Sequence, residues 1–126
     1  MPQFAYYQKK FMPLSEARLN LMTNFMHYGT GVFEGIRGNW NEERKQIYLF
    51  RLKEHYERLF AGCRMLKIDL PYTTDELCKI TVELVKQSDL KENIYIRPVA
   101  YKSSETMGVR LHNLESDFFA FVMPWG

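Results

Sequence analysis

Three groups of residues in this chain have types and spacings suited to chemistry, and all of them bind better than they react. In the segment MHYGTGVFEGIR, Met26 to Arg37, an aromatic ring, three glycines, a carboxylate and an arginine stand close together. Successive side chains of a strand point to opposite faces, so Phe33, Gly35 and Arg37 share one face and Val32, Glu34 and Ile36 the other. The first face is apolar, open and cationic. A glycine between Phe33 and Arg37 leaves room for a ligand or another backbone, although it suits a plain bulged strand equally well. In the segment from Ile94 to Tyr101, Tyr95 and Arg97 share a face. A guanidinium can hold a carboxylate through two parallel hydrogen bonds, and the neighbouring phenol can add a third contact. The plainer reading is a solvated arginine paired with some glutamate and a tyrosine at the edge of the core. The third group is EHYERL, with His55 and Arg58. At 100° per residue Arg58 falls about 130° from the apolar stripe, which places it in solvent, and His55 sits at the flank as a helix-edge histidine. His27 and Tyr28, just before the glycines, could line a pocket. The sequence has no nucleophile elbow, no Walker-type glycine loop and no metal-ligand spacing.

These groups need elements to position them. Phe4 to Gln8 reads as a short strand, Lys9-Lys10 as its turn, and a second short strand ends at Pro13, followed by a connector over Ser15 to Asn20. Val32 to Gly38 alternates as a strand; after a polar stretch from Asn39 to Lys45, Ile47 to Phe50 completes a hairpin with a long loop. Apolar residues at 52, 56, 59, 60, 63 and 66 mark one face of an amphipathic helix from Leu52 to Leu66. Beyond Pro71, Thr73 and Glu76 form a capping box for a second helix, striped by Leu77, Ile80, Leu84 and Val85 and ending near Ser88. Ile94 to Tyr101 returns to strand, interrupted by Pro98, whose missing N–H suggests an edge position or a bulge. A polar loop from Ser103 to Asp117 leads to a last buried strand, FFAFVM. The fold class is α+β, a mainly antiparallel sheet with two helices packed on one face. The ending Met123-Pro124-Trp125-Gly126, directly after a strand, reads as a domain boundary.

Composition narrows the function classes. The 126 residues suffice for one domain with a single core, and 46% hydrophobic with 25% charged residues is an ordinary globular balance. Seventeen basic and fifteen acidic residues are interspersed for a net charge of +2, with no basic stripe to follow a phosphate backbone, so nucleic acid is not an expected partner. No apolar run is long enough for a bilayer-spanning helix and MPQFAYYQKK lacks a signal-peptide core, which makes the cytoplasm the expected compartment. Cys63 and Cys78 lie within helical patterns and read as buried free thiols.

In order and spacing, MHYGTGVFEGIRGNWNEE, IYLFRLKEHYERL, YIRPVAYKS and MGVRLHNLESDFFAFVMPWG resemble the N-terminal domain of branched-chain amino-acid aminotransferases, members of the fold-type IV pyridoxal-phosphate enzymes. The resemblance covers essentially the whole chain, residues 1–126. It implies amino transfer between leucine, isoleucine or valine and 2-oxoglutarate, with pyridoxal 5'-phosphate as cofactor and a homodimer or higher oligomer as the assembly. By the same resemblance Arg58 would bind the cofactor phosphate, against its periodicity, because a helix face covered by a second domain is not solvent. Phe33, Gly35 and Arg37 would line the substrate pocket, with Phe33 enclosing the aliphatic side chain. Tyr95 would hold the α-carboxylate, and Arg97 the distal carboxylate of glutamate or 2-oxoglutarate. Tyr28, Met107 and Val109 would complete the pocket, partly from the neighbouring subunit.

One departure from that family is large. Transamination requires a lysine that forms a Schiff base with the cofactor and moves the α-proton. In the family it belongs to a following C-terminal domain, and none of Lys53, Lys67, Lys79 or Lys102 matches its place. The chain is therefore expected to contain no catalytic residue and to be inactive alone. Two alternatives stay open: another fold-type IV enzyme, such as a D-amino-acid aminotransferase or an aminodeoxychorismate lyase, and a non-catalytic module that binds a small molecule or protein.

Overall fold

A computed structural model describes residues 3–125. The chain opens with a hairpin, β1 (Phe4–Tyr7) and β2 (Lys10–Pro13). Its turn is Gln8-Lys9, both residues at positive φ, 50° and 62°. Paired positive φ values are those of the tight turn whose twist matches an antiparallel hairpin. That turn usually uses Asn or Gly, and with neither present the sequence pattern placed it one residue late.

A short helix, α1 (Asn24–Tyr28), follows. It is too brief to leave a periodic pattern, and it ends on Gly29, whose φ of 61° is the left-handed cap that glycine adopts without strain. Next come β3 (Gly31–Phe33), β4 (Ile36–Asn41) and β5 (Gln46–Leu49). Asn39 and Trp40 pair with Tyr48 and Ile47, and Asn41 with Gln46. The expected long hairpin loop is thus a short connection from Glu42 to Lys45, held by Arg44 N donating to Asn41 Oδ1 at 2.9 Å.

Helices α2 (Leu52–Met65) and α3 (Thr74–Ser88) occupy the expected positions. The capping box at the start of α3 is complete: Glu76 N donates to Thr73 Oγ1 at 3.1 Å and Thr73 N to Glu76 Oε1 at 2.8 Å. Two long strands, β6 (Ile94–Lys102) and β7 (Ser116–Pro124), finish the fold. The seven strands form one sheet in the order β2-β1-β7-β6-β4-β5, with β3 also paired to β6.

Pro98 lies neither at an edge nor at a bulge, the two places its missing donor suggests. It sits in β6, between β7 on one side and β3 and β4 on the other. Phe33 opposes Val99 and Ile36 opposes Ile96, so β3 and β4 continue each other in one register, and the break between them lies opposite Pro98. Glu34 N still donates to Pro98 O at 3.1 Å; the reciprocal bond is the one that proline cannot make.

The core lies between the sheet and the two long helices. Ile36, Ile94, Ile96, Phe118 and Val122 from the strands meet Tyr56, Leu59, Leu77 and Leu84 from α2 and α3, all essentially inaccessible. Among the described residues the opposite sheet face is covered only in part, by Trp125 against Tyr95 and at two further places. The connector around Leu14 to Leu19 lies over Ala5, Phe119 and Phe121, and Phe25 of α1 packs its ring 5.7 Å from that of Tyr101. Between them the face stays open. Cys63 is buried, Cys78 half-buried, and both are free thiols. No helix among the described residues is long and apolar enough to cross a membrane.

Candidate functional site

The open face carries the first cluster. Alternation along β3 and β4 directs Val32, Glu34 and Ile36 toward the helices and Phe33, Gly35 and Arg37 away from them, as period two requires. In the facing β6, Arg97 Nη2 donates to Tyr95 Oη at 2.6 Å. The guanidinium carbon stands 4.1 Å from the centre of the Phe33 ring and 5.4 Å from that of Tyr95. Arg97 Nε is buried and has no hydrogen-bond partner. An orphaned buried N–H on a cation is costly, and an incoming anion relieves it. Gly35 makes this arrangement possible: a Cβ there would stand 2.4 Å from Tyr95 Oη, so any side chain would displace the phenol. Trp125 stacks against Tyr95, ring centres 4.9 Å apart, and supports it from outside. Arg37 is exposed beside the cluster and pairs across the sheet with Tyr95.

The second cluster lies on the helix side of the same strand segment. Arg58 Nε donates to Glu34 Oε2 at 2.8 Å and Arg58 Nη2 to Glu34 Oε1 at 2.7 Å, a bidentate pair. His55 Nδ1 is 2.8 Å from Glu34 Oε1 and, facing a carboxylate, is the donor. Glu34 is buried, whereas the Arg58 side chain is 71% exposed. Burial alone would raise the Glu34 pKa; the hydrogen bonds and charges of Arg58 and His55 outweigh it and hold the carboxyl below its ordinary 4.5. Of the five N–H donors of a guanidinium, the pair uses two, leaving three on an exposed side chain free for an anion. His55 is thus not a plain helix-edge histidine, and Glu34, which no motif marks as a site residue, holds the cluster together. The signal was present: Glu34 alternates with Val32 and Ile36 on the buried face, and a carboxylate there requires a cationic partner.

A third set orders the loop after β6. Asn24 is fully buried; its backbone N donates to Ser104 O at 2.9 Å and its Nδ2 to Thr106 O and Gly108 O, both at 3.2 Å. Tyr28 Oη accepts from Gly108 N at 3.0 Å. Met107 and Val109 project from this loop into solvent, 49% and 86% exposed. No hydrogen bond among the described residues joins Tyr28, Met107 or Val109 to the Arg97 cluster. His27 Nε2 bonds Leu21 O at 2.7 Å, a local structural contact.

The strand segment 31–36 links the first two clusters. Lys102 N donates to Thr30 O and Glu34 N to Pro98 O, so backbone groups of the even residues point to β6 and those of Phe33 and Gly35 point to the outer edge. That edge has no β partner here, because β5 pairs only with Gly38 to Asn41. Arg58 flanks it on one face and Arg97 on the other, so one ligand at the edge could present an anion to each. Among the described residues no three His, Cys, Asp or Glu side chains could hold a metal ion.

A mainly antiparallel sheet with two helices on one face defines an α+β domain, and two arginines flank one free edge of that sheet. The chain belongs to the amino-transferase class IV family, whose profile matches residues 31–126. It is similar to the probable branched-chain-amino-acid aminotransferase of Aquifex aeolicus, with 49% identity over 98 residues, 78% of this chain and 32% of that protein. The structure superposes with a TM-score of 0.92 on the branched-chain aminotransferase of Thermoproteus uzoniensis with norvaline, at 36% identity over 100% of this chain and 42% of that one. A branched-chain amino acid aminotransferase from T.th., complexed with N-(5'-phosphopyridoxyl)-L-glutamate, gives a TM-score of 0.89 at 31% identity, over 99% of this chain and 41% of that one. The chain thus spans about two fifths of those structures.

Proposed function

We propose that this chain is the substrate- and cofactor-phosphate-binding N-terminal part of a pyridoxal-phosphate-dependent branched-chain aminotransferase. It would act with a further domain that supplies the catalytic lysine. The observation that carries this reading is the free edge of residues 31–36 with Arg58 on one flank and Arg97 on the other. A phosphorylated cofactor joined to an amino acid carries a phosphate at one end and a carboxylate at the other, which is the charge pattern this edge accepts.

Arg58 fits a phosphate, since its exposed guanidinium keeps three free N–H donors while Glu34 fixes its plane. When bound, pyridoxal phosphate supplies the carbonyl that takes up the amino group and the ring that eases loss of the α-proton. The protein side of the work is binding and orientation. Tyr95 holds the α-carboxylate, Arg97 receives the distal carboxylate of glutamate or 2-oxoglutarate, and Phe33 encloses the aliphatic side chain of leucine, isoleucine or valine. Gly35 keeps the edge open and Arg37 lines the rim. Tyr28, Met107 and Val109 complete the pocket across a homodimer interface. A cytoplasmic location belongs to the same reading. One pocket serving an aliphatic chain and an acid needs an apolar wall with a cation at its margin, where water replaces the acid.

The test is an amino-transfer assay of the full-length protein with 2-oxoglutarate as acceptor, and of the 126-residue chain beside it. Leucine, isoleucine and valine are expected to serve as donors for the full-length protein and D-alanine is not, while the chain alone yields no glutamate. Transfer from D-alanine in place of leucine, or glutamate formation by the chain alone, would contradict the proposal.

A further inference from the structure

We infer that Phe33 sets the balance between acidic and aliphatic substrates by holding the Arg97 guanidinium through its ring face. The inference rests on Arg97 being the group that receives the distal carboxylate. It begins from how the guanidinium divides its surface. The guanidinium carbon of Arg97 lies over the Phe33 ring, 4.1 Å from its centre, and Nη2 is tied to Tyr95 Oη at 2.6 Å. The edge bearing Nε is buried and has no partner.

A cation over an aromatic face uses the ring quadrupole and leaves its in-plane N–H groups free. Face and edge are independent, so an incoming carboxylate can take in-plane N–H groups of the fork without displacing the ring. With an acid bound, Phe33 has already fixed the plane of the fork and little side-chain entropy is lost. With an aliphatic side chain bound, the fork has no anion to receive and the Nη2 bond to Tyr95 Oη still ties it to the wall, so the ring face matters less. Phe33 itself is 59% exposed, so its ring is not simply core packing. Among the described residues no other side chain hydrogen-bonds Arg97 or offers it a ring: Tyr95 and Phe33 do so. Phe33 is thus a positioning residue whose effect on specificity passes through Arg97.

The experiment compares kcat/KM for glutamate and for leucine in the full-length protein, wild type against Phe33→Leu, Phe33→Tyr and Arg97→Ala. Leucine at position 33 keeps the apolar bulk and loses the ring face; tyrosine keeps both. Phe33→Leu is expected to lower kcat/KM for glutamate about three- to tenfold more than for leucine, the range of an exposed to partly desolvated cation–π contact. The loss should appear in KM, and Phe33→Tyr should restore the wild-type ratio. Equal losses for both substrates in Phe33→Leu, or no rescue by tyrosine, would overturn the inference while leaving the proposed function standing. If Arg97→Ala also fails to disfavour glutamate relative to leucine, the assignment of Arg97 falls and the inference falls with it.

Discussion

Glu34 is the residue on which the helix-side half of the site depends. Its carboxyl is buried, receives two bonds from Arg58 and one from His55, and titrates below its ordinary 4.5. A carboxylate with a depressed folded-state pKa contributes its full stabilisation above the ordinary value and loses it as pH falls through the folded value. Thermal unfolding followed from about pH 6 down to about pH 3 should therefore show a steeper fall in Tm for the wild type than for Glu34→Gln, whose side chain cannot titrate. Parallel profiles would show that another group carries the acid sensitivity. The two faces of residues 32–37 and the adjacency of Tyr95 and Arg97 were legible in the sequence, because period two fixes both. The pairing of Glu34 with Arg58 was not, since the partners are 24 residues apart and only the packing of helix on sheet brings them together. Periodicity placed Arg58 in solvent, and its side chain is indeed exposed; the anchored end of its guanidinium is what the helix wheel cannot show.

At the scale of elements, α1 is the piece that the sequence concealed. Five residues make too short a helix for a hydrophobic stripe, yet this one organises the loop that carries Met107 and Val109. Asn24 is its hub, bonding Ser104, Thr106 and Gly108 while its Oδ1 accepts from Thr30 Oγ1 at 2.7 Å. Asn24→Ala keeps the backbone bond to Ser104 but removes the three side-chain bonds and leaves the partly buried Thr106 and Gly108 carbonyls without them. Limited trypsin digestion should then cleave at Arg110 in the variant well before the wild type, with β6 and β7 still protected from exchange. Equal cleavage times would mean that the Asn24 side chain does not hold the loop. The longer elements were readable for ordinary reasons. The capping box fixed the start of α3, and apolar spacing gave both long helices their buried faces. Pro98 misled because a missing donor usually means an edge; here the sheet accepts the loss within β6, opposite the break between β3 and β4.

At the scale of the molecule, helices seal one face of the sheet, and the other face stays uncovered where Phe33, Arg37, Tyr95 and Arg97 stand. Leu21 and Val109, 81% and 86% exposed, add apolar surface at α1 and its loop. Surfaces of this kind are covered in assemblies, which suits the proposed second domain and neighbouring subunit. The class of fold was legible from element order and alternation. How the uncovered face is closed was not, because periodicity shows which residues face outward and not what meets them. The most direct test is a crystal structure of the full-length protein with N-(5'-phosphopyridoxyl)-L-glutamate. A phosphate oxygen is expected within hydrogen-bond distance of Arg58, with Glu34 still bidentate behind it, and a glutamate carboxylate on the Arg97 guanidinium. A phosphate bound away from Arg58, with no carboxylate on Arg97, would contradict this reading.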